Sequence, residues 1–97
     1  MMRSTAAVED IYKIVYTEHH DPYAVLGIHE VQYKGKDCVA IRAFMPKAAH
    51  AYVIRNFDDG STEDYPMLRV HEEGFFEYVF ENEAQPFGYQ LRRETVD

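Results

Sequence analysis

The run Cys38-Val39-Ala40-Ile41-Arg42-Ala43-Phe44-Met45-Pro46 decides how this chain is read. Val39, Ile41 and Ala43 fall on one face of an extended segment and Arg42 on the other. Pro46, which has no N–H to give a sheet, then ends the run. Working outward, residues 51–57 read as a second strand closed by Asp58-Asp59-Gly60-Ser61, a strong turn signal. Residues 75–80 form a third, with Phe76, Tyr78 and Phe80 on one face against Glu77 on the other. Residues 87–92 form a fourth, with Tyr89 and Leu91 facing alike, and shorter strands are expected over 28–33 and 67–70. Six short strands separated by turns predict an antiparallel β-sandwich rather than a parallel sheet. Ahead of them, residues 5–17 carry helical spacing, with Val8, Ile11, Tyr12 and Val15 on one apolar face. Ser4 or Thr5 is placed to cap that helix, and Glu9 and Asp10 sit near the positive end of its dipole. The expected division is a helix over 1–18 and a sandwich over 19–97, together forming one domain.

Composition narrows the function. The 97 residues are far fewer than the roughly 250 of an eight-stranded barrel enzyme. Ten Lys and Arg against 17 Asp and Glu give a formal charge of −7, which phosphate backbones and anionic membranes would repel. Nucleic acid and membrane are therefore not expected partners. Hydrophobic residues at 46% and aromatics at 14% suffice for a packed core, which argues against disorder. Cys38 is alone, so no internal disulfide or thiolate cluster is available, and folding without one points to a reducing compartment. Glu9 and Asp10 interrupt any signal-peptide segment, and no apolar run reaches membrane-spanning length. The expectation is a soluble cytoplasmic domain.

Catalytic and metal-binding vocabulary is thin. His19, His20, Asp21 and His29 cluster in sequence, but their spacing matches no recognised metal site, and adjacent histidines on an extended segment point opposite ways. Turn and interface hydrogen bonding suits them better. Cys38 opens an apolar strand, the setting of an inert thiol. Ser4 and Ser61 lack a serine-elbow context, and the five glycines are scattered singly rather than forming a phosphate loop. The acid pairs Asp58-Asp59, Glu63-Asp64 and Glu72-Glu73 read as a solvated face. No catalytic residue, metal or cofactor is expected.

Aromatic residues are the stronger candidates. Eight Tyr and six Phe exceed the needs of one small core, and Tyr33, Phe44, Tyr52 and Tyr65 fall on strand faces or loops that need not point inward. Aromatic faces stack on the C–H faces of sugar rings while neighbouring polar groups bind the hydroxyls, so these four are candidate carbohydrate contacts. Packing against another domain is the competing use of such a face, and the absence of Trp favours it.

A wider pattern is carried by four ordered blocks. Residues 18–29, Glu-His-His-Asp-Pro-Tyr-Ala-Val-Leu-Gly-Ile-His, resemble the H-x-D-P-F-x-V-L-G-x-H signature of bacterial glycogen branching enzymes. Residues 39–48 are similar to that family's V-V-R-A-F-L-P-G-A, residues 71–77 to its H-x-x-G-L-F-E, and Tyr89-Gln90-Leu91-Arg92 to its Y-R-L-R. Departures are mild: Tyr23 stands for Phe, Lys47 for Gly and Phe75 for Leu.

The resemblance implies a non-catalytic N-terminal module with an early-set, immunoglobulin-like fold, set ahead of an alpha-amylase-type barrel. The barrel holds the catalytic acids, and the whole enzyme moves α-1,4-glucan segments to α-1,6 branch points in glycogen biosynthesis. The 97 residues then read as a fragment of a larger glycosyltransferase. α-Glucan and the other domains of the same enzyme are the implied partners, and an autonomous α-glucan-binding module is the alternative. The motif residues His20, Asp21, Pro22, Leu26, Gly27, His29, Arg42, Pro46, Gly74, Phe76 and Tyr89 take structural roles under this reading: Asp21-Pro22 an extended turn, Gly27 a tight or positive-φ position, Gly74 the opening of the strand that buries Phe76. Charge is also uneven. Between Asp58 and Glu83 nine acids face Arg69 alone, a local balance of −8, which predicts a water-facing acidic half and a near-neutral N-terminal half available for docking.

Overall fold

The structure, a computed structural model, describes residues 4–16 and 21–95. It is mainly β, with one short helix and two antiparallel sheets. In chain order the elements are α1 (Val8–Val15), a 3-10 turn (Pro22–Ala24), β1 (Gly27–Tyr33), β2 (Lys36–Phe44), β3 (Ala48–Asn56), β4 (Thr62–Pro66), β5 (Leu68–His71), β6 (Phe75–Phe80) and β7 (Tyr89–Thr95). The four-stranded sheet runs β1-β2-β6-β5 and the three-stranded sheet β4-β3-β7.

Seven strands replace the six expected. The additional one, β4, is Thr-Glu-Asp-Tyr-Pro, whose exposed acids and terminal Pro mask an edge strand. The chain changes sheets straight after it, and the crossing is fixed where the Met67 N–H donates to the Ala51 carbonyl at 2.8 Å. The acidic turn before β4 closes as an Asx turn, the Ser61 N–H and hydroxyl both donating to Asp59 Oδ1. The side-chain bond from Ser61, followed by its backbone N–H, holds the Asp59 carboxyl below its ordinary value.

Side-chain alternation places the shared core between the sheets. Val39, Ile41 and Ala43 of β2 and Phe76 and Phe80 of β6 meet Ala51 and Val53 of β3 there. These are the faces that the sequence assigns. The opposite face of β2 is also buried, so that every residue from Cys38 to Ala43 is shielded. Helix α1 lies over that face: Ile11, Ile14 and Val15 pack with Val25, Val70 and Phe75. Burying a phenyl ring such as Phe75 contributes roughly 1.5–3 kcal/mol. A sheet covered on both sides follows, which is why β2 reads as a nearly continuous apolar run.

Two details of the helix differ from expectation. Its buried face is Ile11, Ile14 and Val15, whereas Val8 and Tyr12 are 46% and 44% exposed. The apolar stripe is therefore rotated toward Ile14. The N-cap is Ala7, with no side-chain cap, because Thr5 is committed to the sheet instead. At Asp21-Pro22 the proline opens a 3-10 turn, with the Ala24 N–H donating to the Asp21 carbonyl at 3.1 Å. Among the described residues, no helix is long and apolar enough to cross a membrane.

Candidate functional site

Three side chains tie the N-terminal segment to the four-stranded sheet. Arg42 and Glu77 are directly opposed in the β2–β6 register and are 6% and 3% exposed. Arg42 Nε donates to Glu77 Oε2 at 3.0 Å, Nη1 to the Val25 carbonyl at 2.9 Å, and Nη2 to Thr5 Oγ1 at 2.9 Å. The Thr5 hydroxyl and N–H donate in turn to the Glu77 carboxylate at 2.5 and 3.1 Å. Both charges are thus desolvated and extensively hydrogen-bonded, which makes this cluster structural. It corrects the expectation that the acidic half stays wholly in water, since Glu77 is deeply buried.

The motif residues are distributed around this frame. Gly27 takes φ +90 and Gly74 φ +114, conformations that favour glycine. Leu26 packs on the helix cluster, and its carbonyl lies 2.8 Å from His29 Nε2. Pro46 follows the end of β2, Phe76 sits in the inter-sheet core, and Tyr89 packs against it, with burial raising its phenol. His19 and His20 lie outside the described residues. Among the described residues, no group of three or more metal-ligating side chains forms.

The four candidate carbohydrate residues separate into three places. Phe44 is half-buried against the helix cluster and packs the fold. Tyr52 lies on the outer face of the three-stranded sheet, its hydroxyl 3.3 Å from Glu94 Oε1 and its ring under Arg92 at 4.5 Å. Arg92 also bridges to Asp64 at 2.9 Å. Ile54, Asp64, Gln90 and Arg92 line a shallow hollow of about 730 Å³ on that face.

Tyr65 and Tyr33 instead flank one feature, the free end of β6. β5 pairs with β6 only as far as Glu77, so Tyr78 to Phe80 have no strand beside them on that side. On the inner side of this edge lies a groove of about 490 Å³ whose wall includes Arg55, Tyr65, Tyr78, Phe80, Asn82 and Glu83. Tyr65 contacts Tyr78 and Phe80 with ring centroids 5.3 and 4.8 Å apart, and Phe80 meets Phe87 edge-on at 4.9 Å. Arg55 lies over the Phe87 ring at 4.0 Å and bridges to Glu83 at 3.0 Å. Burial, followed by the charge of Glu63, raises the Tyr65 phenol and keeps it a neutral donor. On the outer side, a second hollow of about 390 Å³ has Tyr33, Leu68, Tyr78, Val79 and Glu81 in its wall. Arg55, Tyr78 and Asn82 did not stand out in the sequence. Only the alternation of β6 pointed to Tyr78, and it marked that residue as core.

The groove beside β6 thus combines half-buried tyrosines and paired charges in an open setting. The family described as "alpha-1,4-glucan branching enzyme GlgB, N-terminal domain" matches residues 7–97. The 1,4-alpha-glucan branching enzymes of Nostoc sp. and Trichormus variabilis are 36% and 35% identical over 95% of the chain. That of Trichodesmium erythraeum is 38% identical over 91%. The chain spans only 11–12% of the length of these relatives. With the match covering nearly all of its residues, the chain belongs to the N-terminal domain family of alpha-1,4-glucan branching enzymes.

Proposed function

We propose that this chain is a non-catalytic accessory module of a 1,4-alpha-glucan branching enzyme, which positions glucan chains for the catalytic domain and docks on other domains of the same polypeptide. The family match over residues 7–97 carries this reading. The tyrosine-lined grooves beside β6 supply a binding surface, and the exposed Val8 and Tyr12 of α1 supply apolar area for docking. The chemistry itself, transfer of α-1,4-glucan segments to α-1,6 branch points in glycogen biosynthesis, belongs to the parent enzyme, in the cytoplasm. The fold under this reading is an immunoglobulin-like, early-set sandwich, supported by the two antiparallel sheets sharing one core. Residues 1–18 and 19–97 act as one folding unit, supported by the bond that the Thr5 N–H donates to Glu77 and the one that its hydroxyl accepts from Arg42.

Removing this region from the full-length branching enzyme is the test. Debranched product chains should show a shifted length distribution and the KM for long glucan should rise, while turnover is retained. Loss of all turnover by an enzyme whose remaining domains are folded, or unchanged products and KM, would contradict the proposal.

A further inference from the structure

Helix α1 carries more apolar surface than its own sheet covers. Ile11, Ile14 and Val15 are buried against the fold, yet Val8, Tyr12 and Tyr16 are exposed and fall at i, i+4 and i+8, a second apolar ridge on the same helix. The ridge is held firmly. Tyr12 and Tyr16 stack with ring centroids 6.3 Å apart, and His71, at the end of β5, meets both rings edge-on at 5.6 and 6.3 Å. The His71 ring is fixed in turn, because its Nδ1 accepts the Glu73 N–H at 3.1 Å. Aromatic side chains already fixed in place lose little entropy when a partner covers them, which suits them to anchor an interface. The surroundings state the partner's chemistry. Glu9 and Lys13 follow Val8 and Tyr12 on the helix, and Glu72 and Glu73 follow His71, all exposed, so three acids and one base rim the patch. Tyrosine faces and carboxylates both attract Lys and Arg. A second copy of this chain would bring the same acids and a net charge of −7, which opposes self-association through this face.

We propose that Val8, Tyr12 and Tyr16, with His71, form the docking face for an amphipathic helix whose apolar stripe is flanked by Lys and Arg, carried by another domain of the same polypeptide. A row at i, i+4 and i+8 is the kind of ridge that interleaves with the groove of a facing helix, at a crossing angle of about −50°. The chain spans only 11–12% of the length of its relatives, so the remainder of such an enzyme is where that helix lies. This inference rests on the module reading above and gives its docking role a surface and a partner.

Photo-cross-linking in the full-length enzyme tests it. Tyr12 is replaced by p-benzoylphenylalanine, which keeps an aromatic ring at an exposed helix position, and adducts are mapped after irradiation. Adducts are expected on one segment outside the 97 residues, at positions three and four apart and with Lys or Arg beside them. Should the Tyr12 variant melt below the parent enzyme, the same photoprobe at exposed Val8 repeats the measurement. Glu72→Lys combined with Glu73→Lys, both at exposed positions, should lower the adduct yield about threefold or more. Absence of adducts, adducts joining two copies of this chain, adducts on a strand or loop, or a yield indifferent to the two lysines would each overturn the proposal. The deletion experiment decides the module reading separately: shifted product chains without these adducts would remove the docking face and keep the module.

Discussion

Replacing Arg42 with methionine is expected to destabilise the fold by about 3–5 kcal/mol, because it leaves the Glu77 carboxylate buried without its counter-charge. The two groups face each other in register across β2 and β6, beneath the N-terminal segment, so water cannot readily replace the lost partner. The Val25 carbonyl and the Thr5 hydroxyl lose a donor at the same time. Denaturant or thermal melts would register the change as a drop in Tm of roughly 12 °C or more, at about 4 °C per kcal/mol for a domain of this size. Arg42→Met combined with Glu77→Leu should recover much of the loss, since an apolar pair avoids the desolvation of both charges. Were the single variant as stable as the parent protein, the buried pair would not be what holds the N-terminal segment to the sheet.

The second large effect is expected at Gly74, which turns the chain from β5 into β6. Its φ of +114 is unfavourable for any residue with a Cβ, and a Cβ there would sit 2.5 Å from the Met45 carbonyl oxygen and 2.7 Å from Pro46 Cα. Both obstacles are backbone, which cannot swing aside. They are also held in place, because the Met45 N–H donates to the Gly74 carbonyl at 2.8 Å and the Gly74 N–H to the His71 carbonyl at 3.0 Å. Gly74→Ala should cost about 3 kcal/mol or more, combining strained backbone with a displaced strand end. Gly35→Ala is the comparison. It shares a positive φ of +80 but has nothing within 4 Å of the added Cβ, so it should cost distinctly less. Equal losses at the two positions would mean that backbone strain alone, and not the approach of β2 to the turn, explains Gly74.

What the sequence disclosed depended on how far apart the interacting residues lie. Period-2 alternation in β2 and β6 assigned Val39, Ile41, Phe76 and Phe80 to the inter-sheet core, because pleating alone dictates it. The same rule placed Arg42 and Glu77 on the other face, yet gave no sign that the face is covered. A single charge on a strand reads as solvent-facing until the element that lies over it is known. That element is the helix with its preceding Thr5, 72 positions before Glu77 in the chain. Strand β4 escaped notice because Glu63, Asp64 and Pro66 belong to an exposed edge, where pairing rather than burial defines the strand. The groove was even less legible. Tyr65 and Tyr33 were singled out as surplus aromatics, but their joint position follows from where β5 stops pairing, and the role of Arg55 from the turn that brings Glu83 to it. The family blocks, by contrast, were readable in full, since they are local words in fixed order.

The central claim is that these residues assist branching without performing it. Incubating the purified 97-residue chain with amylose, then treating the product with a debranching enzyme and following iodine absorbance and released chains, tests that claim most directly. Unchanged iodine colour and no chains released by debranching are the predicted result. New α-1,6-linked chains formed by this chain alone would contradict it.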